Sequence, residues 1–537
     1  MISEQEPSAT SIVPRELRRN ILQEHLPEWI ALSIYLGLVA LILPHHEPVA
    51  DEAQAWQLAR SLPIGALFHA LRYEGTPGLW YLLLWILSRA QVSYAGLHWI
   101  CAAIASVGAA ILVFRAPFPR YIKLLLPFTY FLAFQYAIVA RSYVLFPPLV
   151  FALAASWRYA WKRPWTIALL LGLMANISLH CAVISGGFAI VYAMEALKRG
   201  EARSEKGPGH GQFVGAASML LVLYGLVVWT AWPAQDLWMA SHIQENASTS
   251  SGGGSSNQAA PQTTIHTTAL RTSVLRTSAR DVLIGGLGAS VLGIATPYVM
   301  GIPFWIAVIW YFARRGQVYL MTPLALFVLF SAVSAFAFWH SGLLAVSLIA
   351  VFWISLSRQA HGTAADPAFP RIVVALLLYA IGMQIAWTAD AMHFDYKYPY
   401  SPDLAASKFL RPYVDANARI AVTYSRQTGI SAYDAVGLLP YFEHNIYMNV
   451  KQPFWVWSTR NTTEAEFWRD LPSKPDLVIV EFNESARYNP LLDAENPRLR
   501  MLAAAGYSHT QTFCGAKLAQ FTVFEYTCHL IFEQSKN

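Results

Sequence analysis

The sequence predicts a polytopic α-helical membrane protein with a small α/β domain at its C-terminal end. Three observations predict it. Only 13% of the 537 residues are charged, about half of the roughly 25% usual in soluble domains; 55% are hydrophobic and mean hydropathy is +0.37. Apolar runs near the roughly 20 residues that cross a bilayer recur as far as residue 390. Beyond residue 395 the chain turns polar and alternates strand-like with helical segments. This composition excludes a disordered chain, a fibrous repeat and an ordinary cytosolic enzyme. The net charge of +6 comes from Lys and Arg in short loops between apolar runs. Orientation in a bilayer requires them there, so the lipid bilayer, not nucleic acid, is the expected partner.

The expected spans number about eleven. They are Trp29–Pro44, Leu97–Phe114, Leu124–Ala140, Tyr143–Tyr159, Trp165–Cys181 and Val183–Leu197, then Phe213–Trp232, Ile302–Phe312, Val318–Phe338, Leu343–Leu356 and Ile372–Ala389. The clusters Arg15–Arg19, Arg115–Lys123, Lys162–Arg163, Lys198–Lys206, Arg314–Arg315 and Arg358–Arg371 mark cytoplasmic loops. Three apolar stretches lie between the first two clusters, and only an even number of crossings satisfies both. Gly75–Tyr94 is short, carries Arg89 and follows amphipathic sequence, so it is read as a helix lying in the interface. The N-terminus is then inside and the C-terminus outside. No repeat suggests a solenoid or duplicated transporter.

Three regions follow: a cytoplasmic segment 1–28, a membrane domain 29–394, and an extracytoplasmic α/β domain 395–537. Two loops of the membrane domain face outward, the first at 45–96 and a flexible Ser/Thr/Gly/Gln-rich one at 233–280. In the C-terminal domain, strands are expected over Arg419–Tyr424, Asp476–Phe482, Tyr507–Phe513 and Phe521–Tyr526, and helices over Thr463–Asp470 and Pro497–Ala505. Cys101 and Cys181 sit in apolar runs as small buried hydrophobes. Cys514 and Cys528 flank two strand-like segments and are either a disulfide or two free thiols.

The residues that carry chemistry gather on the outer face. Asp51 and Glu52 follow the first span. A carboxylate there can take a proton from an acceptor nucleophile; the plainer alternative is a pair of acids complementing a helix dipole. Next come Tyr73-Glu74-Gly75-Thr76-Pro77-Gly78-Leu79-Trp80-Tyr81, an interfacial turn, and Ala140-Arg141-Ser142-Tyr143 between two spans. The guanidinium fork of Arg141 suits a lipid phosphate, with interfacial snorkelling as the alternative. His180 and His340 close spans on the same side and contact a phosphate or sugar if they do not simply pack. Arg271, Arg276 and Arg280 stand on the flexible outer loop, where the positive-inside trend gives no reason for them.

In this order, Asp51-Glu52-Ala53, Glu74-x-x-Pro77-x-Leu79-x-Tyr81, Arg141-x-Tyr143 and His180 resemble the GT-C membrane glycosyltransferases. The nearer likeness is to the protein O-mannosyltransferase and lipid A aminoarabinose transferase branch. It covers residues 29–200 by motif and the rest by architecture. The resemblance implies a GT-C-like fold in a bacterial inner membrane. It implies a polyprenyl-phosphate sugar donor, inversion, and an extracytoplasmic acceptor that is a glycan, lipid or protein. Asp51, or its neighbour Glu52, would be the general base. By the same likeness Arg141 would bind the donor phosphate; Tyr143 beside it and the outer-loop cations Arg271 and Arg276 are further candidates for that phosphate, and Glu74, Tyr81, His180 and His340 for the substrate site. Two positions depart from the pattern. Thr76-Pro77-Gly78 replaces His or Lys followed by Pro-Pro, and Val139 replaces the acid two before the Arg. The lost acid favours transfer without a cofactor over a divalent metal site.

Two other classes compete. A ligase using a pyrophosphate-linked glycan needs several outer cations, which Arg271, Arg276 and Arg280 supply. A transporter or scaffold needs ionisable groups at mid-membrane and paired halves, whereas those here gather at one face. In the C-terminal domain, Asp434, Glu443, Trp455 and Trp457 either bind an acceptor glycan or simply pack.

Overall fold

The computed structural model describes residues 23–201, 210–234, 294, 298–333, 338–359, 369–424, 433–457, 471–484, 491 and 496–535. The protein is mostly helical, 68%, with a small C-terminal sheet. Among the described residues, five helices are long and apolar enough to cross a membrane: Tyr94–Arg115, Leu179–Leu197, Gly211–Ala231, Phe338–Arg358 and Arg371–Lys397. Shorter apolar helices cover Leu26–Ile42, Leu79–Arg89, Pro164–Ala175, Val299–Arg314 and Val318–Ala332. The segment before residue 23, the loop carrying Arg271, Arg276 and Arg280, and the expected helix Thr463–Asp470 lie outside the described residues.

Helix α1 (Leu26–Ile42) enters a loop that folds into α2 (Ala50–Ser61), α3 (Ile64–Glu74) and α4 (Leu79–Arg89) before α5 (Tyr94–Arg115). Trp29 of α1 packs on Phe114 of α5 at 4.7 Å, so the start of one meets the end of the other. At that pole Glu28 is buried and pairs with Arg120 at 2.7 Å and Lys123 at 3.0 Å. The 11 residues of α4 reach only about 16 Å, half a bilayer. Its buried residues are Trp80, Tyr81, Leu84 and Ser88. The loop turns back at Gly75, whose φ of +60° favours glycine and caps α3.

The expected span Leu124–Ala140 is not one helix. After α6 (Arg120–Leu125) comes a 3-10 turn at Leu126–Phe128, a π-turn at Phe131–Gln135, and non-helical chain to Arg141. Pro127 lacks the N–H a helix needs and its ring crowds the preceding turn. The unwound stretch is buried, not lipid-facing: residues from Tyr130 to Ala140 are at most 5% exposed. Broken backbone at membrane depth is tolerated only in such surroundings.

Helices α7 (Phe146–Ser156), α8 (Pro164–Ala175), α9 (Leu179–Glu201) and α10 (His210–Ala231) follow, then α11 (Tyr298–Arg314), α12 (Thr322–Val333), α13 (Ser341–Gln359) and α14 (Arg371–Lys397). The C-terminal domain starts with α15 (Asp403–Asp415). It then builds a four-stranded sheet from β1 (Ile420–Val422), β2 (Leu477–Glu484), β3 (Tyr507–Ala519) and β4 (Thr522–Gln534), with α16 (Pro497–Ala504) on one face. Strand order is β1-β2-β4-β3, with β1 parallel to β2 and the other pairs antiparallel. The apolar run Leu477-Val478-Ile479-Val480 is buried on both faces, as a central strand requires. Each expected strand is present, and Cys514 and Cys528 face each other across β3 and β4 in a disulfide.

Candidate functional site

Asp51 and Glu52 open the first turn of α2, and one helical step of about 100° turns them in different directions. Glu52 points inward and is 1% exposed. Its Oε1 accepts the Val49 N–H at 3.0 Å, half of a capping box. Its Oε2 accepts the Ala140 N–H at 2.6 Å and lies 3.1 Å from His98 Nε2. His46 Nε2 is 3.8 Å from Oε1, and His46 Nδ1 is 2.9 Å from Asp395 Oδ2 at the end of α14. Burial alone would neutralise this carboxyl, but His46 and His98 overcome it and hold Glu52 well below the usual carboxylate range. Burial likewise opposes the His46 cation, and Asp395 and Glu52 outweigh it, raising His46 to about 10. Glu52, expected beside Asp51 as a possible base, thus directs its carboxylate to Val49, Ala140, His98 and His46 and away from solvent.

Asp51 turns the other way, and 49% of its side chain is exposed. Its Oδ2 lies 3.1 Å from Arg141 Nη2. The adjacent acids thus hold adjacent residues of the unwound segment, Glu52 the backbone at Ala140 and Asp51 the side chain of Arg141. The guanidinium lies 4.7 Å from the Trp339 ring and 5.9 Å from that of Tyr143, cation–π placements that fix its plane. The Tyr143 hydroxyl is 2.8 Å from His340 Nε2, and the His340 ring stacks on His180 at 3.9 Å. His180 and His340 thus meet each other and Tyr143 beside Arg141.

Glu74, at the end of α3, lies near the same pair. Its Oε1 accepts from Gln54 Nε2 at 2.9 Å and its Oε2 from the Tyr81 hydroxyl at 3.2 Å. Burial raises Glu74 to about 7, and the nearby Asp51 charge adds to the rise; bonds from Gln54, Tyr81 and Trp457 only moderate it. Gln54 also exchanges hydrogen bonds with the backbone of Trp455, at 2.7 Å and 3.0 Å. The C-terminal domain is thereby tied to the first loop, as it is by Arg60, which donates to the Phe442 carbonyl at 3.0 Å.

Of the residues the sequence singled out, Asp51, Glu74, Tyr81, Arg141, Tyr143, His180 and His340 come together at one pole of the helices. Arg271 and Arg276 lie outside the described residues. Sequence reasoning missed His46, His98, Asp395 and Trp339. Trp339 beside His340 carried a signal, whereas Asp395, far along the chain from His46, carried none. Among the described residues, no group of three or more His, Cys, Asp or Glu is arranged to hold a metal ion. No family model, curated protein or solved structure matches this chain.

Proposed function

We propose that the chain is a GT-C-like integral-membrane glycosyltransferase, with about eleven spans of bilayer length. It moves a sugar from a polyprenyl-phosphate donor to an extracytoplasmic acceptor with inversion. The observation that carries this reading is the ion pair between the half-exposed Asp51 and Arg141, set against the Trp339 and Tyr143 rings beside a buried apolar segment. Arg141 in that position meets a lipid-borne phosphate, and Asp51 is the accessible carboxylate next to it.

The chemistry follows from the pair. Asp51 neutralises Arg141 in the ion pair. A donor phosphate takes over the guanidinium fork and releases Asp51 as a free carboxylate. The acceptor oxygen then attacks the anomeric carbon from the side opposite the phosphate. Its proton passes to Asp51, and the bond from the anomeric carbon to the phosphate oxygen breaks. Arg141 meets the charge that develops on the departing polyprenyl phosphate, so no general acid is needed.

Asp51→Asn, assayed in membranes with a polyprenyl-phosphate sugar, is expected to lower transfer by about a hundredfold or more, the range of a general base, with expression unchanged. Undiminished transfer overturns the reading.

A further inference from the structure

The hairpin β3–β4 of the C-terminal domain reaches into the membrane domain. Leu518 on β3 is buried in the membrane-domain core with Val523 packed beside it. The Ala516 N–H donates to the Pro399 carbonyl at 3.0 Å, just past the end of α14. Gly515 lies so close to Ser401 that a Cβ would stand 2.5 Å from the Ser401 Cα, so only glycine permits this docking. Phe524 meets Phe338 at 5.5 Å, and Phe338 is followed by Trp339, which lies against Arg141.

At this contact the hairpin carries Lys517. Its Nζ pairs with Glu525 Oε2, its cross-strand partner, at 2.7 Å, and 18% of the side chain is exposed. The strand register slips between Lys517 and Leu518, an irregularity of the kind that re-aims a side chain. Burial disfavours the ammonium, but Glu525 outweighs it, and the Asp51 carboxylate, across the domain boundary, adds to the rise. The docked hairpin thus carries the ammonium to the side of the membrane domain where Phe338 and Trp339 lead to Arg141.

We propose that Lys517 is a second phosphate-binding cation beside Arg141, supplied by the C-terminal domain, and that it recognises the dianionic phosphate monoester formed when the sugar leaves. The inference rests on the glycosyltransferase reading and deepens it. A sugar-linked polyprenyl phosphate is a diester with one negative charge, which Arg141 alone can meet. Cleavage of the bond to the anomeric carbon leaves a monoester that carries a second charge near neutral pH, since its second pKa is about 6. A cation held in reserve by Glu525 favours this product-like state over the donor.

The test uses the full chain in lipid nanodiscs and measures binding of three probes: polyprenyl phosphate, its methyl diester and the neutral polyprenol. Lys517→Gln is expected to weaken the monoester about tenfold, the loss of one charge-assisted hydrogen bond. The diester should change about twofold or less and the polyprenol not at all. Lys517→Arg should retain the monoester preference. Glu525→Gln should tighten monoester binding, because it removes the competing carboxylate; a merely structural pair would weaken all three probes in both variants. If Arg141→Gln lowers phosphate binding while Lys517→Gln leaves the monoester preference unchanged, this inference falls and the glycosyltransferase reading stands. If the unmodified protein binds neither phosphate lipid more tightly than polyprenol, both fall.

Discussion

Asp51 Oδ2 stands 3.1 Å from Arg141 Nη2, although the first lies in the opening turn of α2 and the second follows the buried, broken segment after Pro127. The neighbouring bond from Ala140 N–H to Glu52 explains how they meet. One carboxylate anchors the backbone, and the next engages the side chain that this backbone presents.

Replacement of Arg141 by Lys keeps the charge but loses the fork and the aromatic stacking. The kcat/KM for sugar transfer is expected to fall about tenfold or more, equivalent to one lost charge-assisted hydrogen bond. Because Asp51 and Arg141 touch, the double variant Asp51→Asn with Arg141→Gln should cost less than the two single losses combined. Steady-state kinetics on all three variants checks this.

Glu52→Gln addresses the scaffold. Removing one partner from a buried ionic network costs about 3–5 kcal/mol, and here it leaves His46 and His98 facing a neutral amide. A clear drop in Tm, followed by intrinsic fluorescence in detergent, is expected. A normal Tm with transfer abolished would instead return the base assignment to Glu52.

Glu74 makes stability depend on pH. Its carboxyl titrates at about 7 against an ordinary 4.5. Between those values the folded protein holds a proton that the unfolded chain has released. The contribution is thus fully present below 4.5 and is lost as pH rises through 7. Glu74→Gln should flatten the fall in Tm between about pH 5 and about pH 8. Glu47, which burial also raises to about 7, and His46, held at about 10, contribute to the slope that remains.

The Cys514–Cys528 bridge closes a loop of sequence separation 14, for which chain entropy predicts about 3 kcal/mol. Reduction, or replacement of both residues by Ser, should lower the Tm of the C-terminal domain by a corresponding amount. It should also loosen the hairpin that carries Lys517. Thermal melts with and without reductant, beside polyprenyl phosphate binding, measure both effects.

Composition and periodicity determined the helical membrane character and the four strands beyond residue 395. They also marked Asp51, Glu74, Arg141, His180 and His340 as polar groups at the ends of apolar runs. Such signals are local: a strand alternates and a span is long and apolar whatever it packs against. Which of two adjacent acids meets Arg141, which histidines hold Glu52, and that Lys517 arrives from the far end of the chain were decided only by tertiary structure. One residue of helical rotation separates Asp51 from Glu52, and their surroundings come from segments remote in sequence. Burial and partners, rather than residue type, assign each its part.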